Sequence, residues 1–165
     1  MGGRRNQIPR WLHRSSGNSE LNKINFAQYI ESLLDNLAYS QASQERNINI
    51  VCDLDKVELN IETANPCGLI INELVSNALE HGFVNCDRGN IWLSLKQNLE
   101  GQILLTVRDD GIGFEENIDL FNSDSLGLEL VCTFVEQIDG TIKLDKNNGT
   151  KIEIAFKKLH YTKRV

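Results

Sequence analysis

Three polar side chains with different chemistry recur at every fourth residue within the segment Asn65 to Phe83, which reads NPCGLIINELVSNALEHGF. If the segment is helical, Glu73, Asn77 and His81 share one face, because residues four apart in an α-helix are neighbours. A carboxylate, an amide and an imidazole would then line one edge, where they can exchange protons and hydrogen bonds with a ligand. The opposite, core-facing edge carries Ile71, Leu74, Val75, Ala78 and Gly82. Such a polar edge is most often only solvated surface, so it becomes a candidate site only if other residues join it.

A second carboxylate ends an apolar strand face in the segment VRDDGIGF. Apolar side chains alternate with polar ones from residue 102 to 109, and the alternation places Asp109 on the apolar face. An ionised carboxylate there is costly unless it has a partner, which a salt bridge or a cap on the next turn would supply within the protein. Gly111 and Gly113 alternate directly after it and allow the backbone to turn sharply and approach a flat ligand. An inward Asp109 above such a turn also suits a ligand that offers a hydrogen-bond donor, such as an exocyclic amine.

Two further positions belong to the same candidate site. Thr150 shares a strand face with Ile152, Ile154 and Phe156, so its hydroxyl also points inward, although a threonine at a strand edge is common for structural reasons alone. Gly127 begins a predicted helix, and the N–H groups at a helix N-terminus favour phosphate. One glycine in SLGL is weak evidence by itself.

The pattern of the chain predicts the elements that position these residues. Asn25 is expected to cap a first helix, and the second helix is expected to begin near Asn65-Pro66 or a few residues earlier. Strands are predicted around residues 48–52, 57–61, 91–97 and 102–109, and an acidic, glycine-containing loop from 110 to about 125. A third helix over 126–138 and a hairpin of residues 141–145 and 150–157 complete the order. The fold class predicted is α+β: a two-layer α/β sandwich, with a mixed, mostly antiparallel sheet covered on one face by three helices.

The order of the motifs carries a resemblance to a known family. The chain resembles the Bergerat-type ATPase domain of histidine kinases, gyrase-type topoisomerases, mismatch-repair proteins and the ninety-kilodalton chaperone. Four motifs in order carry this resemblance: E-x-x-x-N-x-x-x-H on a helix, D-x-G-x-G after a strand, G-L opening a helix and N-G-T opening a strand. Within that family, the chain is most similar to the catalytic domain of bacterial sensor histidine kinases that carry the second type of histidine-phosphotransfer domain. The segments that show this are INELVSNALEHGF, VRDDGIGF, SLGLELV and VEQIDGTIKLDKNNGTKIEIAF. The likeness covers about residues 21 to 157.

The resemblance implies roles at the phosphate end of an ATP site. Asn77 matches the residue whose amide oxygen coordinates Mg²⁺, and Glu73 matches the acidic position that orients or activates the attacking group. His81 matches a position near the phosphates. Gly127 and Leu128 match the end of the ATP lid. Catalytic roles therefore fall on Glu73, Asn77 and His81, and Asn77 is also the expected metal ligand.

The resemblance also implies roles at the adenine end. Asp109 matches the carboxylate that accepts a hydrogen bond from the adenine amino group. Gly111 and Gly113 match the turn beneath the adenine, and Thr150 matches a hydroxyl that contacts adenine, often through water. The expected cofactors are therefore ATP and Mg²⁺.

The chain departs from the family pattern in its charges near the phosphates. Many histidine kinases carry Lys where this chain has Glu80, and the first Gly of the lid-closing G-x-G is Ser125, as is common in this subgroup. The lid, residues 114–126, contains four acidic residues and no Lys or Arg. We therefore expect modest nucleotide affinity that depends strongly on Mg²⁺.

The predicted domain organisation lacks a phosphoacceptor. Residues 1–20 are expected to be an irregular N-terminal segment, 21–157 the ATPase domain and 158–165 a basic tail. His13 precedes Arg14, but no Asn pair follows and no long helical hairpin is predicted, so His13 is not the expected acceptor. The phosphoacceptor His domain is expected to be a missing part of the same protein or another chain, and dimerisation would occur through it.

Composition excludes several other classes of protein. All 23 acidic residues lie between Glu20 and Glu153, whereas eight of the 17 basic residues lie outside that range, so no broad nucleic-acid surface is expected. The four cysteines form no CxxC and have no His at ligand spacing, which is typical of reduced, buried thiols rather than of zinc ligands. No membrane segment or signal peptide is predicted. A cytoplasmic location is expected.

The predicted function is that of a histidine-kinase catalytic domain, which binds Mg·ATP and donates the γ-phosphate to a His of another domain, with a response regulator downstream. Two alternatives remain open at this point. One is a serine kinase of the anti-sigma-factor type, which shares the fold and an N-A-x-x-H run. The other is a nucleotide-binding, partner-switching module without turnover.

Overall fold

The computed structural model describes residues 23–39, 46–113 and 125–158. In chain order, the elements of this described part are β1 (Lys23–Asn25), α1 (Phe26–Ala38), β2 (Asn47–Leu54), β3 (Glu58–Asn60), α2 (Ile61–Asn77), β4 (Arg88–Gln97), β5 (Gln102–Asp109), α3 (Leu126–Gln137), β6 (Thr141–Asp145) and β7 (Thr150–Lys157). A single π-helical turn, Ala78–Gly82, extends α2. The predicted N-terminal segment 1–20, which includes His13, lies outside the described residues, as do residues 159–165 of the predicted tail 158–165 and most of the predicted lid.

The main sheet in the described part of the chain has five strands in the order β2-β4-β5-β7-β6. β2 runs parallel to β4, and all other neighbours are antiparallel. At one end of the central strands, Asp109 pairs with Ile91 on β4 and with Thr150 on β7. The register therefore confirms that Asp109 and Thr150 are adjacent.

Alternation along the strands separates a buried sheet face from an exposed one. On the covered face the side chains of β4, β5 and β7 are buried: Ile91, Leu93, Leu95, Ile103, Leu105, Val107, Ile152, Ile154 and Phe156. The helices add Phe26, Ile30, Leu34, Ile70, Ile71, Leu74, Val75, Leu128, Val131 and Val135. The opposite face carries polar pairs such as Arg108 over the Trp92 ring, 5.1 Å from its centroid, and Lys151 with Glu153 at 2.8 Å. The predicted two-layer α+β sandwich is confirmed.

The helix that carries the polar edge begins at Ile61, a few residues before Asn65-Pro66. Asn60 caps α2, since its side-chain oxygen accepts a 3.0 Å hydrogen bond from the Thr63 N–H. Pro66, predicted to lie at the start, therefore lies within the helix, and Ile61, predicted to be in a strand, is its first residue. The cap decides the boundary because it satisfies an N–H that the first helical turn leaves without an intrahelical partner.

Other differences from the predicted elements are local. β1 was not predicted, because it is only three residues long; it pairs with β3 in a separate two-stranded ribbon. Of the four cysteines predicted to be buried, Cys67 is buried, Cys86 and Cys132 are half-buried, and Cys52 is exposed because β2 is an edge strand. All four cysteines are free thiols. No helix in the described ranges combines the length and hydrophobicity needed to cross a bilayer.

The cap of α2 can be tested directly. We expect Asn60→Ala to lower the free energy of unfolding by about 1 kcal/mol, because it removes a side-chain acceptor from the helix N-terminus. Asn60→Asp keeps an acceptor and should remain near the wild type. Urea denaturation measures the difference. Asn36→Ala on the exposed side of α1 is the control, and an Asn60→Ala protein as stable as that control would contradict the cap.

Candidate functional site

A cavity of about 350 Å³ opens between the end of the central strands and helices α2 and α3. Its size falls within the range of small-molecule sites, which begins at about 300 Å³. The residues that line it come from four elements and the loops beside them: Leu74, Asn77, Ala78, His81, Gly82, Val107, Asp109, Ile112, Gly113, Ser125, Leu128, Thr150 and Ile152. Six of the predicted site residues are in this set, namely Asn77, His81, Asp109, Gly113, Leu128 and Thr150.

Asp109 is the buried carboxyl group of the cavity, with only 5% of its surface exposed. Its Oδ1 accepts a 2.9 Å hydrogen bond from the Gly111 N–H, so the turn cap considered from the sequence is present. Burial raises the pKa of Asp109; the backbone N–H groups of Gly111 and Thr150 lower it in part, and the nearby charge of Asp110 raises it. The carboxyl group thus caps its own turn and also faces the cavity.

The loop after Asp109 follows its path because glycines allow very close backbone contacts. The Ile112 N–H donates a 2.7 Å hydrogen bond to the carbonyl of Gly82 in the π-helical turn. A Cβ atom at Gly111 would collide with that same carbonyl oxygen. Gly113 has a φ of +73°, which favours glycine. Gly113 lines the cavity, whereas Gly111 is not among its lining residues and packs against the Gly82 carbonyl.

Glu73 and Asn77 meet Gly127 at the helical end of the cavity. A Cβ atom at Gly127 would lie 3.0 Å from Glu73 Oε2 and 3.4 Å from Asn77 Nδ2, so the first turn of α3 lies close to both side chains. Asn77 lines the cavity, whereas Glu73 and Gly127 are beside it and are not among its lining residues. The structure thus places an amide, a carboxylate and a helix N-terminus together.

His81 lies at the mouth of the cavity. Its side chain is 76% exposed, and its Nε2 is 3.8 Å from Glu80 Oε2. The imidazole belongs to the π-helical turn rather than to regular helix. His81 lines the cavity together with Asn77 but is much more accessible to solvent.

The apolar walls of the cavity were not assigned from the sequence. Val107 and Ile152 continue the buried sheet face, and Leu74 and Ala78 continue the buried side of the helix. Their positions followed from the same alternation that placed Asp109 inward, but an apolar residue in such a pattern does not reveal whether it contacts core or ligand. Gly149 was also missed; it has a φ of +99° and a Cβ there would strike the Asp109 carbonyl oxygen.

The arrangement has two chemically different ends. Apolar walls beside one buried carboxyl group suit a flat heterocycle with an amine donor. The other end offers amide and carboxylate oxygens, which are the ligands that a hard cation prefers, and a helix N-terminus that favours an anion. In the described residues no group of three or more His, Cys, Asp or Glu side chains could hold a metal ion. No Lys or Arg is among the described lining residues.

Comparison with known proteins matches this geometry to a family. The model of the "Histidine kinase-, DNA gyrase B-, and HSP90-like ATPase" family matches residues 62–160. The chain is 31% identical over 108 residues to Blue-light-activated histidine kinase 2 of Erythrobacter litoralis, an alignment that covers 65% of this chain and 31% of that protein. It is 28% identical over 130 residues to the anti-sigma F factor of Clostridium perfringens, covering 72% of this chain and 90% of that protein.

A solved structure shares the fold. The Erythrobacter litoralis EL346 blue-light activated histidine kinase superposes with a TM-score of 0.74 at 26% identity, covering 81% of this chain and 42% of that one. The chain spans about a third of the length of the first curated histidine kinases it matches. Because the family model matches more than half of its residues, and that stretch carries the cavity, this chain belongs to the histidine kinase-, DNA gyrase B- and HSP90-like ATPases.

Proposed function

We propose that this chain is the ATP-binding catalytic domain of a sensor histidine kinase of a two-component system. It binds Mg·ATP and presents the γ-phosphate to a His on a phosphoacceptor domain, which is another part of the same protein or a separate chain. The observation that carries the proposal is that Asp109 and Asn77, from opposite layers of the fold, line one cavity. A cytoplasmic location and a response regulator as the next acceptor belong to the same proposal.

Adenine is proposed to bind between the apolar walls. The Asp109 carboxylate accepts a hydrogen bond from the adenine amino group, which gives the buried carboxyl group a partner. Thr150 adds a hydroxyl on the neighbouring strand. Gly111 and Gly113 let the loop backbone follow the edge of the ring without a side chain in between.

The phosphates are proposed to lie at the other end, where they meet Asn77 and the first turn of α3. The Asn77 amide oxygen would be one ligand of Mg²⁺, whose other ligands are phosphate oxygens and water. When bound, the ion supplies charge neutralisation for the transferring phosphoryl group. Gly127 and Leu128 hold the helix N-terminus beside the phosphates, and its N–H groups donate to them.

Glu73 is proposed to act on the incoming phosphoacceptor, and His81 on the terminal phosphates. Glu73 lies near Asn77 and can accept a hydrogen bond from the attacking imidazole, and so orient it. His81, at the exposed mouth, is proposed to contact the terminal phosphates. Phosphoryl transfer needs little covalent chemistry from the protein, so these residues act by position and charge.

An anti-sigma-type serine kinase is the second candidate, because the similarity to the anti-sigma F factor covers 90% of that shorter protein. A partner-switching module that binds nucleotide without turnover is the third. Incubation with radiolabelled ATP and candidate acceptors separates all three. We expect a phosphorylated product that acid hydrolyses and alkali leaves intact, as for phosphohistidine. An acid-stable product would favour the serine kinase, and no product with any acceptor would favour the module without turnover.

The metal role of Asn77 predicts a loss of Mg²⁺-dependent binding. We expect calorimetric titration with a non-hydrolysable ATP analogue to show binding with Mg²⁺ and much weaker binding without it. Asn77→Ala should abolish the Mg²⁺-dependent part, because it removes the amide oxygen from the cavity. Asn36→Ala on α1, outside the cavity, is the matched control. Equal affinities for Asn77→Ala and the control would contradict the assignment.

The adenine role of Asp109 predicts a variant that binds nucleotide more weakly but is more stable against unfolding. Asp109→Asn should lower the affinity for the ATP analogue about 10- to 100-fold, because a hydrogen bond to a charged group contributes about 1.5 to 3 kcal/mol. Equal affinity for the variant and the wild type would remove Asp109 from this role.

The stability of the same variant should depend on pH. Since the pKa of Asp109 is raised in the folded protein, the unfolded chain loses this proton first as the pH rises above the ordinary value of 3.8. The wild type therefore loses stability until the higher folded pKa is passed. Urea denaturation should find Asp109→Asn more stable than the wild type at neutral pH, with the difference shrinking as the pH falls toward 3.8. A stability difference between the variant and the wild type that does not change with pH would contradict an unfavourable burial of the ionised Asp109 carboxylate.

A further inference from the structure

Asp110 directly follows the cavity carboxylate but lies outside the cavity, with its side chain exposed. We propose that Asp110 is a positioning residue. It holds the start of the loop after β5, residues 110–113, to strand β4 through Asn90, an arrangement called the clamp below, and it thereby sets where Asp109 meets the base. The inference rests on the proposed binding of an adenine nucleotide in this cavity. It assigns a task to the second acid of the pair Asp109-Asp110.

Three hydrogen bonds join Asp110 to Asn90. The Asn90 backbone N–H donates to Asp110 Oδ1 at 2.7 Å, and Asn90 Nδ2 donates to Asp110 Oδ2 at 2.8 Å. The Asp110 N–H donates to the Asn90 carbonyl at 3.2 Å. Both carboxylate oxygens of Asp110 are therefore used on one residue, and the clamp extends the β4–β5 ladder one step beyond the Ile91–Asp109 pair.

The clamp and the helix hold residues 110–112 from two sides. Asp110 is bound to Asn90 on the β4 side, and two residues later the Ile112 N–H is bound to the Gly82 carbonyl at 2.7 Å. Gly111, between these two points, donates to Asp109 Oδ1 at 2.9 Å. If the two side-chain bonds of Asp110 are lost, a single 3.2 Å backbone bond joins residue 110 to Asn90. The backbone that positions the Asp109 carboxylate is then held less firmly, and a small displacement of a binding group is costly.

At the other end of β4, Asp55 forms a comparable set of hydrogen bonds away from the cavity. Asp55 Oδ2 accepts from the Gln97 backbone N–H at 3.0 Å, and its Oδ1 accepts from Lys96 Nζ at 3.2 Å. The Asp55 N–H donates to the Leu95 carbonyl at 2.8 Å. Asp55 therefore also holds its segment to β4 by two side-chain bonds and one backbone bond, although these go to three residues rather than one. It is not among the cavity residues.

The test compares nucleotide affinity with stability in three variants. We expect Asp110→Ala to weaken Mg·ATP-analogue binding about tenfold or more by calorimetry, and to narrow the preference for ATP over GTP, because Asp109 no longer points at a fixed position. Asp110→Asn should bind within about twofold of the wild type, since its amide oxygen still accepts from the Asn90 N–H and the Asn90 side chain can turn to match. Asp55→Ala should lower the urea midpoint yet bind nucleotide as the wild type does.

Each outcome either supports or overturns the positioning role of Asp110. Unchanged affinity and selectivity in Asp110→Ala would overturn the positioning role, as would an Asp110→Asn protein that binds as poorly as Asp110→Ala, since charge rather than geometry would then be responsible. An equal loss in Asp55→Ala would show a general effect of stability and overturn it too. If Asp110→Ala does not fold, Asn90→Ala takes its place under the same criteria. It removes the side-chain bonds to Asp110 and Asn49 and keeps the backbone groups of Asn90 that bond to Asp110. Failure of the wild type to bind ATP would instead overturn the proposed function, and the inference with it.

Discussion

The burial of the Asp109 carboxyl group is the constraint on which the rest of the site depends. A carboxylate with 5% of its surface exposed is unfavourable unless hydrogen bonds or a ligand replace the lost water. The protein supplies the N–H of Gly111, which satisfies one oxygen and bends the chain into the next loop. The remaining cost is retained in the folded protein, and the raised pKa of Asp109 is its measurable sign. A ligand that donates a hydrogen bond to this group recovers part of that free energy. The side chain whose burial is unfavourable is therefore also well placed to recognise a ligand.

Close backbone contacts make this arrangement possible. Gly111 lies against the Gly82 carbonyl and Gly149 lies against the Asp109 carbonyl, and neither contact has room for a Cβ atom. The described start of the loop after β5, residues 110–113, therefore lies between the end of α2 on one side and the β6–β7 hairpin on the other. Glycine at these places follows from the distance between two main chains, and flexibility has little part in it.

The sequence was sufficient for most of the fold because its patterns were local and strong. Alternation predicted the facing of Asp109 and Thr150, and the capping residue Asn25 predicted the start of α1, both confirmed by the structure. The cap of α2 was not predicted, because Pro66 is a conspicuous signal whereas Asn60 lies within a segment that also has strand character. A three-residue strand such as β1 depends on pairing with a distant partner, which no local pattern reveals.

The candidate site was predictable to a different degree. Polar residues with unusual spacing, such as Asn77, stood out, and the structure brings them to one cavity. The apolar walls did not stand out, because Val107 and Ile152 follow the same alternation as the core. The clamp between Asp110 and Asn90 could not have been found either, since it joins residues 20 positions apart whose types are common at any surface turn.

The π-helical turn at the end of α2 has a mechanical consequence. Such a turn accommodates one residue more than regular α-helix would, and the Gly82 carbonyl leaves the helix pointing sideways to the Ile112 N–H. This bond joins the end of the helix that carries Asn77 to the backbone three residues after Asp109. A shift at this end of the helix would therefore also displace the start of the loop beside the buried carboxyl group.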